Sequence, residues 1–95
     1  MKTYRVIIEP EAAEDLRAIY DFIAQNDMPQ KARRFMQKLQ EAILSLSSFP
    51  HRFRKSIYIE AEEEARDMIV HGYTVCYVIR EDHVHILTVF RQRAF

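Results

Sequence analysis

Glycine is almost absent from this chain: Gly72 is the only one among 95 residues. A phosphate-cradling loop of the P-loop or dinucleotide type needs several closely spaced glycines, so nucleotide binding through such a loop is excluded. Cysteine is equally scarce. Cys76 stands alone inside an apolar run, which rules out an intramolecular disulfide and a Cys-rich structural zinc site; a small core residue is the natural reading. Net charge is missing as well, since 14 Lys and Arg balance 14 Asp and Glu, and long-range steering towards nucleic acid is therefore weak. No segment is long and apolar enough to span a membrane. Met1-Lys2-Thr3-Tyr4-Arg5 leads directly into a strand-like stretch without an apolar signal region. A soluble, cytoplasmic protein without membrane contact is expected.

Several familiar reaction centres are lacking too. Ser45, Ser47, Ser48 and Ser56 have no nucleophile-elbow context. The carboxylates from Glu60 to Glu64 form a charge run, with no apolar setting to split their pKa values for paired acid–base work. His83 and His85 are two apart and share one side of a strand, but a third ligand is not nearby. They read as an exposed hairpin end, and no metal or cofactor is expected.

What is present suffices for one domain, residues 1–95, with a modest core from 48% apolar content. Thr3 to Glu9 reads as a strand from its β-branched residues. Pro10 suits the first turn of a helix, and Glu11, Glu14 and Asp15 complement its dipole. Leu16, Ile19, Tyr20 and Ile23 recur at helical spacing, and this helix should end near Gln25-Asn26-Asp27. Met28-Pro29 begins a second helix with Ala32, Phe35, Met36, Leu39, Ile43 and Leu46 on one face, stopped by Ser47-Ser48-Phe49-Pro50. A short break between two singly striped helices predicts an antiparallel hairpin. Thr74 to Ile79, a turn at Arg80 to His83, and Val84 to Phe90 form an antiparallel meander. Lys55 to Ile59 is a candidate edge strand, and Glu60 to Glu64 a loop. The economical packing is α+β, with the helix hairpin laid across one face of a mainly antiparallel sheet.

Charge is segregated along the chain. Residues 31–58 hold Lys31, Arg33, Arg34, Lys38, Arg52, Arg54 and Lys55 against Glu41 alone, whereas residues 59–67 hold five acids against Arg66. A two-signed surface suits a macromolecular partner, and solvated faces account for the same pattern. Lys31, Arg34 and Lys38 lie within roughly 60° of one another at ~100° per residue and form a basic stripe beside the apolar face. On the last strand, simple alternation places Arg91 on the side of His85, Leu87 and Val89, with Arg93 next if the strand continues. Arg66 opens the neighbouring strand. Arginine forks clamp phosphates or carboxylates, so Arg66, Arg91 and Arg93 are candidates for anion or target contact; charges that protect a sheet edge are the other reading.

These pieces together resemble the RelE/ParE superfamily of toxins from bacterial type II toxin–antitoxin modules, and its ParE-like branch in particular. The motifs are Tyr4-Arg5-Val6 with Glu9-Pro10-Glu11-Ala12, Asp15 to Ala24, the second helix ending Leu46-Ser47-Ser48-Phe49-Pro50, Arg66 to Tyr73 with Tyr77, and Val84 to Val89. The resemblance covers essentially the whole chain and carries its specificity in the order and spacing of the motifs. It implies a helix hairpin against an antiparallel sheet, and a cognate antitoxin whose tail wraps the toxin in a hetero-oligomer. Two activities divide the superfamily: ParE-like members inhibit DNA gyrase and trap its cleaved DNA without being enzymes, and RelE-like members cut mRNA on the ribosome. An inactive binding module is a further alternative.

Thr74 stands where RelE-like nucleases usually place an arginine after the Gly-Tyr pair, and the chain is neutral where such nucleases are commonly basic. Arg66 matches an arginine frequent in ParE-like chains. The ending departs from both branches, with Arg91 where ParE-like chains often have histidine. Were the chain a nuclease, the resemblance implies Arg66, Arg91 and Arg93 as stabilisers of the phosphorane charge and His71 or Tyr73 as the proton-transfer group. Lys31, Arg34 and Lys38 are the expected antitoxin-binding residues, docking a tail that is apolar on one face and acidic on the other.

Overall fold

β-branched residues build a short first strand, β1 (Arg5–Ile8), in the computed structural model, which describes residues 2–59 and 64–91. Pro10 then starts α1 (Pro10–Asn26) at a position where its missing N–H costs nothing. Asp27 and Met28 separate it from α2 (Pro29–Leu44), again opened by proline, and two 3₁₀ turns follow at Ser45–Ser47 and Pro50–Arg52. The remaining strands are β2 (Arg54–Lys55), β3 (Glu64–Val70), β4 (Tyr73–Arg80) and β5 (His83–Arg91). One mixed sheet results, in the order β1-β5-β4-β3-β2, with β1 parallel to β5 and every other pair antiparallel. The expected α+β architecture is the observed one.

The helix hairpin covers one face of this sheet. Ala12, Leu16 and Ile19 of α1 and Met36, Leu39 and Ile43 of α2 meet Met68, Val75, Tyr77, Val84, Ile86 and Val89 in a single core. Burying each large aliphatic side chain there contributes about 1.5–3 kcal/mol. Leu46 and Pro50 close the core below α2, and the Tyr77 hydroxyl donates to the Pro50 carbonyl at 2.6 Å. Burial pushes the Tyr77 phenol well above its usual range, so it stays a donor.

The opposite face is covered at its centre. Ala65, Asp67, Thr74, Cys76 and Val78 are buried there, under a strap that runs from Ser56 to Ile59. Burial, and next the Asp67 carboxylate, push the Cys76 thiol up to about 12, so it is an inert core group. The strap replaces the edge strand expected from Lys55 to Ile59, of which only Lys55 is in a strand. Side-chain acceptors divert its backbone: Ile57 N–H donates to Asp67 Oδ2 at 3.1 Å, and Tyr58 and Ile59 N–H both donate to Ser56 Oγ at 3.1 Å. Tyr58 then stacks edge-on against Phe90.

Three other expectations change. Glu64, expected in a loop, is the first residue of β3, and Glu60 to Glu63 lie outside the described residues. Asp15 does not serve the helix dipole, for it sits beyond the first turn and accepts from Thr88 Oγ1 at 2.8 Å and from Val89 N–H at 2.9 Å. It thereby satisfies the edge of β5 where β1 has already ended. His85 is no exposed hairpin end, because its Nδ1 lies 2.7 Å from Glu9 Oε1 with the ring largely covered.

Candidate functional site

The register of β4 against β5 decides where the last strand points its side chains. Cys76 pairs with Thr88 but Tyr77 with Ile86, so Leu87 is an extra residue on β5. Such a bulge shifts the two-residue alternation by one. Val84 and Ile86 face the helices before it, and Val89 faces them after it. Arg91 therefore shares the side of Val89, as alternation predicted, but lies opposite His85, which it did not predict.

Arg91 pairs across the sheet with Tyr73, the first residue of β4. The preceding turn is His71-Gly72, with φ of 52° and 82°. Gly72 accepts the left-handed backbone without cost, whereas His71 is held there by a two-residue hairpin. Phe35 of α2 packs over this turn, with ring centroids 5.4 Å from Tyr73 and 6.2 Å from His71. Three of the candidate residues, His71, Tyr73 and Arg91, are thus brought to one end of the sheet beneath the helix hairpin.

Two clefts open there. One, of about 250 Å³, is lined by Ala18, Ile19, Phe22, Tyr73 and Arg91. The other, of about 330 Å³, is lined by Ile23, Lys31, Arg34, Phe35 and Lys38. The basic stripe read from the sequence accordingly borders an apolar hollow. Lys31 meets Asp27 at 3.3 Å in an exposed pair, of the kind that contributes little. Among the described residues, the side chains of Arg34, Lys38 and Arg91 take part in no ion pair or hydrogen bond.

Arg66 lies elsewhere. It pairs with Tyr77, four residues along β4 from Tyr73, roughly 13 Å away along the strand and two strands, or ~10 Å, across from Arg91. Its guanidinium is spent on the protein itself, donating to the Phe53 carbonyl at 2.6 Å and to Glu64 Oε1. The hydrogen bond from Arg66, with its positive charge, holds the Glu64 carboxyl below the usual range, and His51 Nε2 approaches the same carboxylate at 3.1 Å. Arg52 is used in the same way, as its guanidinium donates to the Ser45, Ser48 and Phe49 carbonyls. Arg93 lies outside the described residues.

Phe22 and Phe35 are the residues that sequence reading undervalued as surface. Phe22 is 54% exposed, three residues beyond Ile19 and off the core stripe of α1. An aromatic residue at that offset was the available signal. A further cleft, of about 570 Å³, lies where β1 hands over to α1 and is lined in part by Glu9, Glu11, Arg80 and Thr88. No group of three potential metal ligands occurs among the described residues, and no helix among them is long and apolar enough to cross a membrane.

Comparison with known proteins adds an independent line. A sequence profile described as "ParE toxin of type II toxin-antitoxin system, parDE" matches residues 6–94. No curated protein matches the sequence. Among solved structures, the fold is similar to a chain of the chromosomal ParDE toxin–antitoxin system from P. aeruginosa, with TM-score 0.82, 20% identity, and coverage of 98% of this chain and 100% of that one. It is also similar to a chain of the RelBE2 toxin–antitoxin complex from Mycobacterium tuberculosis, with TM-score 0.70, 22% identity, and coverage of 97% and 94%. A third likeness is to the YoeB dimer of Staphylococcus aureus, at TM-score 0.57, 18% identity, and coverage of 98% and 99%.

Proposed function

From the premise that this chain belongs to the ParE toxin family of type II toxin–antitoxin systems, we propose that it arrests growth by inhibiting DNA gyrase, without being an enzyme. A cognate antitoxin neutralises it in a hetero-oligomer, bound across Lys31, Arg34 and Lys38. The observation that carries the gyrase reading is the family match along nearly the whole chain. The use of Arg66 supports it. A phosphodiester-cleaving site needs cations aimed at one reacting phosphate, and Arg66 is turned inward onto Glu64 and the Phe53 carbonyl.

A second reading has its own support. His71, Tyr73 and Arg91 gather at one end of the sheet, and this supports RelE-like cleavage of ribosome-bound mRNA with His71 or Tyr73 as the proton-transfer group beside a cation. Expression without the antitoxin separates the two. Gyrase poisoning predicts induction of the DNA-damage response and accumulation of cleaved DNA, with intact messages. Primer extension showing cut messages without DNA damage overturns the gyrase reading. Absence of any growth defect identifies an inactive binding module.

A further inference from the structure

We infer that Phe49, held out by the bend between α2 and β2, anchors this protein on its target by seating in an apolar, acid-rimmed pocket of the target protein. The inference rests on the toxin reading above and adds the surface by which the toxin engages gyrase.

The backbone singles Phe49 out. Among the described residues, three other than glycine have positive φ: Phe49 at 49°, His71 at 52° and Glu81 at 53°. His71 and Glu81 each open a two-residue hairpin loop, where the favoured turns have positive φ. Phe49 is in no hairpin. It precedes Pro50, and a residue before proline favours extended backbone, so the left-handed region is disfavoured there on two counts. Glycine or asparagine would occupy it at lower cost. The residue is phenylalanine all the same, 64% exposed and outside the core. Packing does not account for it.

The bend is also rigid. Arg52 Nη1 donates to the Ser48 and Phe49 carbonyls at 2.5 and 3.1 Å and reaches the Ser45 carbonyl at 3.5 Å. Its Nη2 donates to Ser45 Oγ at 2.9 Å. Tyr4 N–H donates to the Ser47 carbonyl at 2.8 Å, and the Tyr77 hydroxyl ties down Pro50. Strained backbone persists where its surroundings over-determine it, and functional contacts collect at such places. An aromatic ring on a fixed corner has little freedom left to lose on binding, and buried aromatic anchors dominate protein interfaces. Leu44, the last residue of α2 and 60% exposed, adds apolar surface at the start of the same bend.

Charge identifies the occupant. Arg52 bonds only to neutral groups, and no carboxylate pairs with it among the described residues. Lys2, with Nζ 4.9 Å from the Tyr4 ring centroid, is a second cation without a carboxylate partner there, and Tyr4 meets the His51 ring. Glu64, beside His51, is held by Arg66, and Glu41 is the sole carboxylate of residues 31–58. An apolar knob in a positive field fits an apolar pocket rimmed by Asp and Glu. A second copy of this chain offers no such pocket, because its apolar clefts are bordered by Arg91 and by Lys31, Arg34 and Lys38.

The test compares wild type with Phe49→Gly, Phe49→Leu and Lys2→Glu in thermal melting, in growth arrest on expression without the antitoxin, and in inhibition of purified gyrase. Phe49→Gly should melt at or near the wild-type temperature, because glycine accepts the left-handed backbone. It should nevertheless inhibit gyrase about tenfold more weakly, or worse, with Phe49→Leu in between. Lys2→Glu should weaken inhibition roughly threefold at low salt and less at high salt. Full inhibition by Phe49→Gly overturns the inference and leaves the gyrase reading intact. A markedly lowered melting temperature also overturns it, since Phe49 would then serve the fold. If wild type arrests growth without touching gyrase or messages and Phe49→Gly does not, the gyrase reading fails and the anchor stands on another protein. Cut messages that Phe49→Gly abolishes would mean that a base stacks on the ring, against a protein pocket. Absence of growth arrest by wild type removes the toxin reading and the inference together.

Discussion

Arg66 and Arg91 sit on the same sheet and were equal candidates by sequence, yet the protein uses them in opposite ways. Arg66 lies over the β2–β3 edge, where the chain after α2 supplies a carbonyl from Phe53 and a carboxylate from Glu64. Its side chain is 15% exposed. Arg91 lies at the Tyr73 end, exposed and without an ionic partner among the described residues. The difference teaches that an arginine's role depends on whether its own chain brings acceptors to it. A guanidinium whose two terminal nitrogens are bonded within the protein is part of the fold, and one without a partner among the described residues, beside an apolar cleft, is available to something else.

The comparison can be broken by substitution, beginning where the effect should be largest. Tyr77 pairs with Arg66 and is fully buried with its hydroxyl on Pro50. Tyr77→Ala should cost about 4 kcal/mol in urea denaturation; a loss below about 1 kcal/mol would show that this end is not structurally tied together. Arg66→Ala removes the partner of the Phe53 carbonyl and of Glu64, and should cost about 2 kcal/mol. A variant of unchanged stability with altered toxicity would return Arg66 to the target-contact list.

Acid sharpens the same contrast. Because Arg66 lowers the folded-state pKa of Glu64, the pair stabilises the protein above the unfolded carboxyl value and loses that contribution as pH falls through the lower folded value. The acid-unfolding curve of Glu64→Gln should therefore converge with that of wild type at low pH and fall below it near neutrality. A constant offset at every pH would exclude the linkage. The smallest stability effect belongs to Arg91→Ala, which should stay within about 0.5 kcal/mol of wild type while altering toxicity. A larger destabilisation would mean that Arg91, like Arg66, has an internal role.

Much of this was legible in the sequence. The helix hairpin and the meander follow from apolar spacing and proline placement, because helices with one stripe need a sheet to cover. The stripe Lys31, Arg34, Lys38 was legible too, since helical geometry alone puts those residues together. The strap was not. Ser56-Ile57-Tyr58-Ile59 has strand composition, and only the tertiary arrival of the Asp67 carboxylate turns its backbone away from the ladder. Nor could the inward use of Arg66 be read, because its acceptor on Phe53 is thirteen residues distant. The register shift at Leu87 left no mark either, as Ile86-Leu87-Thr88 contains no glycine or proline to flag it.

That unmarked residue sets the phase of the chain's end. Leu87 acts as a one-step advance in a two-step cycle, and the described residues beyond it, Thr88 to Arg91, read out on the faces that the advance selects. Removing it would carry Arg91 from the helix side to the strap side with no change in any other residue. In a strand of this kind, a tip sequence has no fixed meaning until the count of residues before it is known. Relatives with the same terminal residues and a different count would present them to a different neighbour.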